Sequence, residues 1–119
     1  MVFVCVGYYA FIETSAPRQI GDKAVLTSMQ FDATTGAGRC ISFWYHMYGA
    51  SVGTLNIFQK TLTGTTVTGT LLLWQLKGNQ GNQWLQGRIP LNVASSYQVC
   101  ACWKLCILSY VRCVKALCR

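Results

Sequence analysis

Residues 40–55, CISFWYHMYGASVGTL, constrain the fold more than any other part of the chain. Read with a period of two, Ile41, Phe43, Tyr45 and Met47 fall on one face, and Cys40, Ser42, Trp44, His46 and Tyr48 on the other. β-Branched and aromatic side chains suit a pleated strand, and their richness on both faces predicts a strand covered on both sides. Gly49 and Gly53 supply the backbone freedom for a reversal, after which Thr54-Leu55-Asn56-Ile57-Phe58 resumes an extended pattern. The stretch is expected to be a central strand, a tight loop and a second strand in the middle of a β-sandwich.

With 119 residues, the chain has room for one compact domain and not for two. Hydrophobic residues make up 52% and charged residues 11%, a balance that excludes a disordered chain. The net charge is +7, unevenly spread. Lys104, Arg112, Lys115 and Arg119 lie in the last stretch, 99–119, which holds no acid. Nucleic-acid binding would want basic residues interleaved with exposed aromatics across one surface. Here the aromatics fall at strand-core spacing and the bases sit near turns, so no nucleic-acid partner is expected. The seven cysteines are an odd count, five of them in the last twenty residues, which leaves one unpaired or shared between chains.

Along the chain, residues 1–12 (MVFVCVGYYAFI) read as a first buried strand rather than a signal peptide or an anchor. No Lys or Arg precedes Arg18, and the run is too short to span a bilayer. Residues 14–22 form a loop around Pro17 and Gly21, 23–31 a strand, and 32–39 another loop. The threonine-rich stretch 59–69 reads as a strand end and an exposed loop, and 70–76 (TLLLWQL) as a strand. Residues 77–83 (KGNQGNQ) give the clearest turn, expected to close a hairpin with Asn and Gly in left-handed conformations. A strand follows over 83–93, where Gly87 and Pro90 suggest a bulge or an edge, and another begins at 95–99.

Chemistry is sparsely provided for. The acids are Glu13, Asp22 and Asp32, and the single histidine is His46, mid-strand among aromatics. General acid–base work needs positioned carboxylates or histidines, so no catalytic residue is expected. GNQGNQW lacks the GK[ST] or GxGxxG spacing and the following helix of a phosphate cradle. The C-terminal cysteines are spaced C-x-C, C-x3-C, C-x6-C and C-x4-C, not in the paired knuckles of structural zinc, so no metal or other cofactor is expected. As a strand, 99–107 would put Cys100, Cys102, Lys104 and Cys106 on one face. As a helix, the tail would gather Lys104, Arg112, Lys115 and Arg119 into a basic side able to lie on a membrane. No Asn-x-Ser/Thr acceptor occurs.

Taken together, several blocks resemble the MAM domain, named for meprin, the A5 antigen and receptor protein tyrosine phosphatase mu. They are Gly7 to Glu13, Pro17-Arg18 with Gly21 to Ala24, Cys40 to Gly49, Val52 to Asn56, Leu73-Trp74 and Gly78 to Trp84. The match covers about residues 7–99. Its signature positions are Gly7, Phe43, Trp44, Tyr45, His46, Met47, Gly49, Gly53, Leu55, Trp74, Gly78, Gly81 and Trp84. The resemblance implies an all-β, antiparallel sandwich of jelly-roll type. It also implies an extracellular or cell-surface setting, and non-catalytic recognition or adhesion through protein partners, self-association among them. In such domains the cysteine in the place of Cys40 usually bonds to one near the domain's C-terminal end.

The chain departs from the family pattern at both ends. The family's N-terminal portion has no counterpart before Gly7, and its acidic final strand gives way to the basic, Cys-rich residues 100–119. The expected organisation is a partial MAM-like sandwich over 1–99, incomplete at both ends, with an unrelated tail over 100–119. Cys40 is then expected to have lost its family partner. The alternative is a small protein held at a membrane surface by residues 103–119.

Overall fold

The structure, a computed structural model, describes residues 10–12, 19–34, 36, 38–50, 52–104 and 111–118, with backbone alone at 10–12, 103 and 111–118. Eight strands run in chain order: β1 (Ala10–Ile12), β2 (Lys23–Thr27), β3 (Arg39–Tyr45), β4 (Thr54–Thr63), β5 (Thr66–Lys77), β6 (Leu85–Leu91), β7 (Ser96–Lys104) and β8 (Val111–Cys118). They form two four-stranded antiparallel sheets, ordered β1-β8-β3-β6 and β2-β7-β4-β5. The expected all-β sandwich is the observed architecture, and no helix occurs among the described residues.

The core lies between the sheets and is built by alternation. Ile41, Phe43 and Tyr45 from β3, with Met47 just beyond it, meet Leu55 and Ile57 from β4 and Tyr97 and Val99 from β7. Burial of each such side chain stabilises the fold by about 1.5–3 kcal/mol. The Trp74 ring lies edge-on to Phe43 at 5.2 Å between centroids and tilted against Tyr45 at 5.3 Å. Gly87 in β6 stands directly opposite Phe43. A Cβ there would fall 2.7 and 2.8 Å from two ring carbons of Phe43, so the aromatic side chain occupies the space that glycine leaves. Burial also raises the Tyr45 hydroxyl above its ordinary pKa.

The second face of β3 is not covered as the sequence suggests. Cys40 and Tyr48 are exposed and Ser42 and Trp44 half-buried, while His46 alone is buried. A sandwich covers one face of each sheet, and aromatic content does not say which faces find a second layer. Several boundaries also move. β2 ends at Thr27 rather than Phe31, yet the chain stays beside β7: Ser28 and Val99 bond, and Phe31 and Tyr97 exchange backbone hydrogen bonds of 2.8 and 3.0 Å. The threonine run is not a loop. β4 and β5 form a long hairpin through it, closed by Gly64-Thr65 with Gly64 at φ 63°. β-Branched threonine favours extended backbone although it is polar, and here that preference wins.

The GNQGNQ segment does not close a hairpin either. It carries the chain from β5 in one sheet to β6 in the other. Its turn residues are equally suited to a hairpin and to a crossover, so local chemistry could not separate the two. β6 is an edge strand, as Gly87 and Pro90 suggest, and pairs with β3 without a register shift, so the bulge is absent. β7 continues to Lys104, and residues 111–118 form β8 between β1 and β3. The helical form of the tail is therefore not adopted over 96–104 or 111–118. The first-strand reading of residues 1–9, with Gly7, lies outside the described residues.

Candidate functional site

Tyr45 at the end of β3 pairs with Leu85 at the start of β6, and Thr54 at the start of β4 pairs with Lys77 at the end of β5. The segments 46–53 and 78–84 therefore leave the sandwich side by side at one end. Backbone hydrogen bonds lock them together: Gln80 N–H donates to the Met47 carbonyl at 2.6 Å, and Gly78 N–H to the Gly53 carbonyl at 3.0 Å. Asn79 Oδ1 accepts from Gly49 N–H at 3.2 Å and from Gly81 N–H at 3.1 Å. Gly78 and Gly81 have φ of 81° and 87°, as the left-handed turn chemistry expected for these glycines requires, and Gly49 in the other segment has φ 128°.

His46 sits beneath this pair of loops, 8% exposed. Its ring lies 5.5 Å from Trp84 and 6.3 Å from Tyr48 between centroids. Nε2 is 3.0 Å from Asn82 Oδ1. With that oxygen as acceptor, Nε2 carries a proton and donates it. Nδ1 is buried without a hydrogen-bond partner among the described residues. The ring thereby joins the two loops, one hydrogen bond and two aromatic contacts holding it in place. Above it, Tyr48 and Trp84 are 51% and 41% exposed. The result is a surface of aromatic faces and amide side chains on a hydrogen-bonded backbone.

The Asn82–His46 bond yields a direct expectation. Asn82→Ala removes the acceptor for a part-buried N–H, which costs about 1 kcal/mol. Thermal unfolding should detect the loss, and Trp84 fluorescence should shift as the second loop loosens.

The remaining signature positions separate into two groups. Phe43, Tyr45, Met47, Leu55 and Trp74 build the core, whereas His46, Gly49, Gly53, Gly78, Gly81 and Trp84 shape the loop end. Trp44 lies half-buried on the outer side of β3. Cys40 is a free, exposed thiol distant from this end, at the start of β3. The register sets Cys118 opposite Ile41, one residue out of step with Cys40. Cys100 and Cys102 on β7 are also free, the first buried and the second half-buried. Among the described residues no group of three His, Cys, Asp or Glu side chains could hold a metal ion. Sequence reasoning singled out GNQGNQW but not the parts played by Asn79 and Asn82, because His46 and Asn82 are 36 residues apart.

Comparison with known proteins identifies the family. A family model described as MAM domain, meprin/A5/mu, matches residues 5–101. The chain is 44% identical over 94 residues to MAM domain-containing glycosylphosphatidylinositol anchor protein 1 of Rattus norvegicus, covering 78% of this chain and 9% of that protein. It is 36% identical over 100 residues to the corresponding protein 2 of Mus musculus, covering 78% of this chain and 10% of that one. It is 48% identical over 61 residues to neuropilin-1a of Danio rerio, covering 50% of this chain and 6% of that protein. The chain thus spans about a tenth or less of the length of these curated relatives.

Proposed function

Because the chain belongs to the MAM domain family, we propose that it is a non-catalytic, adhesion-type recognition module that works outside the cell or at its surface. It recognises protein partners, a second copy of itself among them, through the end formed by residues 46–53 and 78–84. The observation that carries this reading is the exposed Tyr48–Trp84 pair held over a buried His46. Large aromatics on a rigid backbone bring contact area at small entropic cost, and such residues dominate binding energy at protein interfaces. Membership of a family whose relatives are named for a surface anchor, or are neuropilins, supports the location.

A membrane-surface role for 103–119 draws less support. Lys104 belongs to β7, and Arg112 and Lys115 to β8, so these bases stand in two sheets rather than along one helical side. No described helix is long and apolar enough to cross a membrane. The adhesion reading is tested by adding fluorescently labelled full-length chain to cultured vertebrate cells. Saturable binding that trypsin pretreatment of the cells abolishes is the expected result. Binding that survives trypsin would overturn protein recognition.

A further inference from the structure

The strand registers assemble one feature that no stretch of sequence displays. Lys23 of β2 stands opposite Lys104 of β7, Lys104 opposite Thr54 of β4, and Thr54 opposite Lys77 of β5. Directly opposed residues share a face of the sheet, so this is a straight row across all four strands. At about 4.8 Å per strand, Lys23 and Lys77 are ~14 Å apart across the row. The core takes Leu55, Ile57, Val99 and Ala101, so the row, in the opposite phase of β4 and β7, lies on the outer face. All three lysines are exposed. The next row inward, Val25–Cys102–Asn56–Gln75, carries no charge. Three lysines thus line up across the sheet at the loop end of the sandwich, with Lys60 further along the same outer face.

Like charges placed directly opposite one another destabilise a sheet, and Lys23 and Lys104 are such a pair. The acids among the described residues are Asp22 and Asp32. Asp22 uses its carboxylate to accept the Gln19 N–H at 2.9 Å. The lysine row therefore stands as a line of exposed like charge, two of its members directly opposed. A partner with negative charges spaced along a line would relieve it, which a single phosphate could not do.

The neighbouring loops narrow the partner's chemistry. Gln80 Nε2 donates to the Lys77 carbonyl at 3.3 Å, tying the amide-rich loop to the end of the row. Tyr48 and Trp84, exposed at the same end, offer ring faces on which sugar rings can lie, and amides suit hydroxyl groups. We infer that this outer face binds a linear sulfated polysaccharide laid along Lys23, Lys104 and Lys77, with sugars reaching the Tyr48–Trp84 end. The inference rests on the extracellular reading above, since such polymers are a cell-surface and matrix chemistry.

The test is binding of the full chain to immobilised heparin at about 0.15 M salt. The triple variant Lys23→Gln, Lys77→Gln, Lys104→Gln should bind about tenfold more weakly or worse, with a shallower salt dependence. A charge-matched control, Arg39→Gln, Lys60→Gln, Arg88→Gln, should stay within about twofold of the parent. Relieving the opposed lysines should leave the thermal midpoint of the first variant unchanged or raised, which separates lost binding from lost folding. Equal weakening by both variants would reduce the effect to net charge and overturn the row. Absent heparin binding, or preference for phosphatidylserine-containing vesicles over heparin, would overturn the polysaccharide. If heparin binding fails while trypsin-sensitive cell binding persists, this inference falls and the adhesion reading stands. The reverse pattern would remove the adhesion reading alone.

Discussion

Phe43→Ala is expected to lower the unfolding free energy by about 3–5 kcal/mol, a large share of the stability of a domain this size. The ring is 2% exposed and packs against Trp74, Tyr45 and the backbone of Gly87. Its removal takes dispersion contacts from both sheets at once. Gly87→Ala attacks the same contact from the other side, because its Cβ would enter the space of the Phe43 ring. That overpacking costs about 1–3 kcal/mol in the parent. In the Phe43→Ala background the methyl group enters vacated space, so the second substitution should cost little. Denaturant unfolding of the four proteins in the cycle measures the coupling, expected at about 1–3 kcal/mol. Additive losses would show that glycine is required at 87 for some other reason.

The second large effect concerns β8. Residues 114–118 pair with Tyr45 to Ile41, and the same strand holds β1 on its other side. A chain ending at Lys104 loses that strand. It leaves one side of β3 without backbone partners and β1 without a sheet. The lost hydrogen bonds, at about 1 kcal/mol net each, and the accompanying packing together approach the whole stability of a small domain. The shortened chain should show no cooperative thermal transition and should aggregate through the newly bared edge of β3. A milder version, Ala116→Pro, removes one N–H from an interior strand and should also lower the midpoint. An unchanged midpoint in either variant would mean that β8 contributes nothing to the fold.

Much of the sandwich is legible because period-two burial is a local property. Ile41, Phe43, Tyr45 and Met47 lie inside as alternation predicts, and the paired loops fall where glycine and asparagine cluster. What local chemistry leaves open is pairing. Turn residues at 78–84 cannot say whether the next strand returns to the same sheet, and threonine at 59–69 is equally at home in a loop and in a strand. The site divides in the same way. GNQGNQW and FWYHM are visible as blocks, but the bond between His46 and Asn82 joins them only in three dimensions. The row of Lys23, Lys104 and Lys77 is scattered over the chain and exists through register alone.

The recognition reading turns on the Tyr48–Trp84 end of the molecule. Cell-surface binding of the full chain should therefore be compared with that of Tyr48→Ser, Trp84→Ser and the double variant, after thermal unfolding has established that each remains folded. Loss of one exposed aromatic anchor should weaken trypsin-sensitive binding by about tenfold or more, and the double variant should abolish it. Undiminished binding by the folded double variant would contradict recognition through this end.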